Sequence, residues 1–266
     1  MHPAIAAVAR STGLRRHHIA AARMRGEREF LARFRIRASE RDRSRILCYH
    51  GVGTPSWGVN DVTSKQFAEQ LEVALSLGYR FVSLEDAVGR PVPKTLAVTF
   101  DDGLASVSKN AAPVLSDLGV PFTVFVVSDW ADGKHNFGDD IFMDWSDLQR
   151  LVGDGAAIGS HSVNHPNFSR ISADEAVMQL RTSRETISAR LGLAPDAFAI
   201  PFGRSSDWTA ATSESAALAG YDMVVAQSED ARPPGTVPRT FVAGSDTRTT
   251  FRAALEGAFD DWEEWW

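Results

Sequence analysis

The chain has one cysteine, no apolar run near the roughly twenty residues that a membrane-spanning helix needs, and no glycine-rich phosphate loop. Cys48, inside the apolar Ile46-Leu-Cys-Tyr49, has no internal disulfide partner and is expected to pack as a small core hydrophobe. The missing phosphate loop excludes an open dinucleotide-binding sheet. At the N-terminus, Ile5-Ala-Ala-Val8 is too short for the apolar stretch of a secretory signal and runs into arginines, so the chain as written is expected on the cytoplasmic side. Lysine is absent from residues 1–45, which hold twelve arginines against four acids, Glu27, Glu29, Glu40 and Asp42. That segment carries +8, and with −6 overall the remainder carries −14. An acidic domain lacks the basic face that phosphates demand, which excludes nucleic acid as a partner.

At 266 residues, 44% of them hydrophobic, the chain suits one large α/β domain, residues 46–266, preceded by an arginine-rich extension, residues 1–45. In the extension Phe30, Leu31 and Phe34 recur at helical spacing within Glu27 to Arg37, which predicts a basic amphipathic helix. It could lie on anionic lipid at the inner face of a membrane or on the acidic domain itself.

From Ile46 onward apolar runs alternate with helical patterns. Strands are expected at Ile46–Tyr49, Phe81–Leu84, Thr95–Phe100, Phe122–Val127, Ala157–Ser160, Phe198–Ile200 and Met223–Val225. Helices are expected after the capping boxes at Thr63 and Ser172, over Ser106–Leu118 and Trp145–Val152, near Thr212–Ala219 and over Thr249–Phe259. Such alternation predicts parallel strands with helices outside, and six or seven units fit an incomplete barrel, whose chemistry gathers at the C-terminal strand ends.

Two constellations fall at such ends. Thr95-Leu-Ala-Val-Thr-Phe-Asp-Asp-Gly103 delivers adjacent carboxylates, Asp101 and Asp102, to a glycine turn. Neighbouring strand residues point in different directions, so one can bind a metal while the other stays free as a base; the alternative is an ordinary Asp-Gly turn. His161-Ser-Val-Asn-His165 places two imidazoles four residues apart, and with one carboxylate they make a three-ligand site with an open position for water.

These residues resemble the first two motifs of the polysaccharide deacetylases, carbohydrate esterase family 4. Pro201-Phe-Gly203 resembles the third, and Leu47-Cys-Tyr-His-Gly51 resembles the opening of the exopolysaccharide-modifying branch. The resemblance runs from about Ile46 to Val242 and implies a distorted, incomplete (β/α)7 barrel. It assigns Asp102, His161 and His165 to a divalent metal, for which zinc fits a His2Asp set although nickel, cobalt or iron could occupy it. It further assigns Asp101 as general base, Phe202 of Pro201-Phe202 as the source of an oxyanion-binding N–H, and Trp208 as a flank of the acetyl pocket. Two departures stand out. Ala199 occupies the place of an arginine that tethers the base, and Arg239 is the candidate replacement. No histidine follows His165 to serve as the general acid, which leaves His50 as the candidate. The expected activity is metal-dependent removal of acetyl from N-acetylated sugars of a polysaccharide, an oligosaccharide or a precursor. The rivals are an amide hydrolase of the same fold acting on a small non-sugar molecule and a non-catalytic carbohydrate-binding relative.

Overall fold

The computed structural model describes residues 16–34, 44–53, 60–227 and 235–260. Ile5–Val8 and the last residues of the helix expected to Arg37 lie outside them. The elements run α1 (Arg16–Phe34), β1 (Arg45–Tyr49), β2 (Gly51–Val52), β3 (Asp61–Val62), α2 (Ser64–Ser76), β4 (Arg80–Phe81), α3 (Leu84–Gly89) and β5 (Thr95–Phe100). Then come α4 (Ala112–Asp117), β6 (Phe122–Val126), α5 (Ser128–Ala131), α6 (Trp145–Gly153), β7 (Ala157–Ser160), α7 (Ala173–Leu191), β8 (Ala197–Ala199), α8 (Ala210–Leu218), β9 (Met223–Val225), β10 (Thr236–Val237), β11 (Thr240–Phe241) and α9 (Arg248–Leu255).

The main sheet is parallel throughout, in the order β10-β9-β8-β7-β6-β5-β1-β11, with β4 added along the first half of β5. It curls into a half-barrel with helices outside, as the alternating pattern implies. Strands β1, β5 and β6 are buried along their whole length because one face lines the barrel and the other lies under helices. That is why they read as continuous apolar runs rather than alternating ones. The interior is narrow: Ile46, Ala97, Phe125, Ala199 and Val225 fill it, and a Cβ on Gly159 would meet the Phe125 ring at 2.4 Å.

Local signals set most boundaries. Thr63 and Gln66 form the reciprocal capping box at the start of α2, Ser172 accepts the Glu175 N–H at the start of α7, and Gly192 ends α7 in the left-handed conformation at φ 71°. Two expectations need correction. Of the strand expected over Phe81–Leu84 only Phe81 pairs, together with Arg80 before it, because Ser83 caps a helix by accepting the Asp86 N–H. The helix expected over Ser106–Leu118 begins with a π turn, Val107–Ala111. It brings Ser106 and Asn110 against β2, where they bond the Val52 N–H and C=O.

Helix α1 packs on the barrel by a face other than its phenylalanine stripe. Met24 is buried with Phe241 and Ala243, and Arg28 is buried in a bidentate pair with Asp246 (2.8 and 2.6 Å) beneath the Phe259 ring. Phe30 and Phe34 point outward, 60% and 65% exposed, because the buried i, i+4 stripe of Met24 and Arg28 places them on the opposite side. No described helix is long and apolar enough to cross a membrane.

Candidate metal and catalytic site

The residue after each of four strands carries the ladder one step further. Asp101, His161, Ile200 and Val242 donate their N–H groups to Tyr49, Val126, Val225 and Cys48 carbonyls at 2.8 to 3.0 Å. Register thus fixes which side chains meet at the C-terminal mouth. Backbone strain gathers there too. Of six non-glycine residues with positive φ among those described, four are at this mouth: Asp102, Ser162, His165 and Phe202. Such conformations cost of order 1–3 kcal/mol each and persist where surrounding structure over-determines them.

Asp101 follows Thr99 on the inward face of β5, and one guanidinium serves both. Arg239 Nη1 lies 2.7 Å from Asp101 Oδ1 and 3.0 Å from Thr99 Oγ1, and Nη2 lies 2.6 Å from Asp101 Oδ2. Its Nε–H donates to the Ala226 carbonyl, and the Cys48 thiol lies 3.4 Å from Asp101 Oδ2. Burial pushes the Asp101 carboxyl up, but Arg239, with help from His161, outweighs it and holds the group below the usual carboxylate range. The same pairing raises the Arg239 pKa against the opposing effect of its own burial.

Asp102 turns the other way through its left-handed backbone and meets both histidines. Its Oδ1 lies 3.4 Å from His161 Nε2 and 3.5 Å from His165 Nε2. A tetrahedral ion with bonds of about 2.0–2.1 Å holds its ligand atoms about 3.3 Å apart, so this spacing fits one. All three donor atoms lie within 4.8 Å of one another. His161 Nδ1–H donates to the Ala199 carbonyl at 2.8 Å, which leaves the Nε2 lone pair free to bind a metal. Burial and the neighbouring His161 push His165 down to about 4, so its imidazole is neutral at neutral pH, as a ligand must be. Asp102 is held well below the carboxylate range by the imidazoles despite its burial. The set fits a borderline divalent ion such as zinc.

A cleft of about 620 Å³ opens over this cluster. His50 lines it, buried, with Nε2 4.0 Å from Asp102 Oδ2 and its ring edge-on to Phe241. Phe202 is half-exposed on the rim and packs edge-on against His165 at 4.7 Å; Pro201 is buried behind it. A Cβ on Gly203 would strike the Gln227 backbone, so only glycine lets this turn close. Trp208 is not brought to the cleft. It is 3% exposed among Phe168 and Phe198, with its indole N–H bonded to Ser213, because the apolar cluster under α8 takes the ring. Trp130 lines the cleft instead, stacked on His165 at 5.3 Å. Asn60, Phe137, Arg204 and Gln227 also line it and were not singled out from the sequence. Gln227 follows the end of β9, which is the kind of strand-end position that marks a barrel mouth.

The family signature described as polysaccharide deacetylase matches residues 89–224, which include Asp101, Asp102, His161 and His165. YxkH of Bacillus subtilis is 23% identical over 68% of this chain and 63% of its own length. The chitin deacetylase of Colletotrichum lindemuthianum is 27% identical over 43% of this chain and 46% of that protein. The peptidoglycan-N-acetylglucosamine deacetylase of Bacillus cereus is 27% identical over 41% and 36%. The chain thus spans less than two thirds of the length of these relatives. Among solved structures, IcaB from Ammonifex degensii matches with a TM-score of 0.66 at 26% identity, covering 82% of this chain and 98% of that one. The Streptococcus pyogenes deacetylase PplD, in complex with acetate, shares the fold with a TM-score of 0.69 at 22% identity, covering 80% and 98%. By its matched motifs and its barrel, this chain belongs to the polysaccharide deacetylase family.

Proposed function

We propose that this chain is a metal-dependent hydrolase that removes acetyl groups from N-acetylated sugars of a poly- or oligosaccharide or its precursor. The observation that carries it is the meeting of Asp102 with His161 and His165 beside an Asp101 held separately by Arg239. Asp102, His161 and His165 would hold a divalent metal, zinc by preference, which would supply a Lewis acid for the acetyl carbonyl and an acidified water. Asp101, kept ionised by Arg239, would be the base that takes the proton of the attacking water. The Phe202 N–H, at the matching position of the third motif, donates to the oxygen that gains charge. His50 gives a proton to the amine as the C–N bond breaks, which leaves acetate and the free amino sugar.

The cleft supports a glycan over a small non-sugar amide. Phe137 and Phe202 are 45% and 46% exposed at its edge, and aromatic faces of this kind suit the apolar faces of sugar rings. The complete Asp102, His161, His165 set argues against a non-catalytic relative. The test is acetate release from N-acetylglucosamine oligomers of increasing length beside small aryl acetamides. Turnover that rises with oligomer length is expected, and turnover confined to the small amides would assign the cleft to a non-sugar substrate.

Peripheral contact with anionic membrane through the extension belongs to the same proposal. Phe30 and Phe34 lie with ring centres 4.7 Å apart on the exposed face of α1, and Arg33 is exposed beside them. Phe30→Ser with Phe34→Ser should then abolish sedimentation with anionic vesicles at low salt, and equal sedimentation of both proteins would remove this part.

A further inference from the structure

Both histidines of the candidate metal site sit on one five-residue loop, His161–His165, whose backbone is strained twice. Ser162 has φ 72° and His165 has φ 59°, and neither is glycine. The loop holds this shape through bonds on three sides. Ser162 Oγ accepts the His165 N–H at 2.9 Å, and the Ser162 and Val163 carbonyls accept the N–H groups of Ser128 and Asp129 from α5. The third side is one side chain of α7. Gln179 Oε1 accepts from Val163 N at 3.0 Å and from Asn164 N at 3.4 Å, while its Nε2 donates to Asn164 Oδ1 at 2.9 Å.

Gln179 is fully buried, and its amide orientation is dictated, because two converging N–H donors require the oxygen. It touches no reacting atom. Its bonds go to Val163 and Asn164, the two residues between the strained pair, so they set where His165 points after His161 has been fixed by its strand and by the Ala199 carbonyl. We propose that Gln179 is a positioning residue that sets the metal affinity of this protein by holding the His161–His165 loop in its binding shape. This rests on the reading of Asp102, His161 and His165 as the metal site.

Two mechanisms predict different measurements. A side chain that only stabilises the fold lowers the melting temperature and leaves the metal dissociation constant of folded protein unchanged. A positioning residue changes that constant. Cobalt(II) is the probe, since its visible absorption reports ligand geometry, and affinity is read by competition with a chromophoric chelator well below the melting temperature of each metal-free variant. Gln179→Met keeps the length and removes both bonding ends, and should weaken cobalt binding by about 10-fold or more with an altered spectrum. Gln179→Glu keeps the acceptor for both N–H groups, and Asn164 can turn its amide to donate, so affinity should return to within a few-fold of wild type. If Gln179→Met fails to fold by circular dichroism, Gln179→Asn takes its place, one methylene too short to reach the loop. Wild-type affinity and spectrum in the folded Met or Asn variant would overturn the role of Gln179. Wild-type protein that binds no cobalt would instead overturn the metal reading beneath it, so the two failures are separable.

Discussion

Arg239 reaches Asp101 across the barrel interior and grips both carboxylate oxygens, at 2.7 and 2.6 Å, from a point 138 residues further along the chain. Ala199 is buried in the same interior. Asp101 is thus held in a bidentate, fully buried pair by Arg239, in a chain that has alanine at 199.

Replacing Arg239 by Gln should move the acid limb of turnover to higher pH. In the wild type burial raises the Asp101 pKa and Arg239 more than offsets it, so the folded value lies below that of a free carboxyl. The group then contributes stability that is present above about pH 4 and lost as pH falls through the folded value. Without Arg239 the upward push of burial remains, Asp101 protonates at higher pH, and stability at neutral pH falls by about 3–5 kcal/mol in urea titrations. An acid limb at the wild-type position would show that Arg239 does not tune the base.

The two aspartates should separate cleanly. Asp101→Asn is expected to keep stoichiometric metal and lose turnover by about 10²-fold or more, whereas Asp102→Asn should also lose metal. Metal analysis of both purified variants decides it, and equal metal loss would contradict the division of roles.

For His50 the leaving group is the lever. His50→Gln should lose about 10²-fold on an N-acetyl sugar with metal content unchanged, yet stay near wild type on an aryl acetate whose leaving group needs no proton. Equal losses on both substrates would point to a role for His50 in shaping the cleft.

Arg28 should matter for folding although its helix lies in the arginine-rich extension. It is 2% exposed and Asp246 is equally buried, so Arg28→Met leaves the carboxylate without its cation and should cost about 3–5 kcal/mol in urea unfolding. Arg28→Met with Asp246→Leu should recover most of that. A loss under about 1 kcal/mol in the single variant would mean that the helix docks without the pair.

What the sequence makes legible is whatever local chemistry determines. Thr95–Phe100, Ala157–Ser160 and Met223–Val225 are strands at the expected residues, because strands covered on both faces over most of their length read as short, largely apolar runs. Thr63 and Ser172 announce their helices by capping, and the Asp-Asp-Gly and His-x-x-x-His spacings mark the cluster. Long-range packing is less visible. Nothing near Trp208 in the sequence shows that Phe168 and Phe198 will take its ring into the core. Asn60 and Arg204 look like solvated loop residues until the strand order carries them to the cleft. In α1 the phenylalanine stripe is the stronger pattern, yet the side that docks is the one whose arginine finds Asp246.

The most direct measurement is acetate release by one preparation before and after its metal is stripped with a chelator and restored. Loss of acetate release on stripping, recovery with one equivalent of zinc, and no recovery in His165→Ala are the expected results. Undiminished acetate release by the stripped protein would contradict a reaction that depends on metal held by Asp102, His161 and His165.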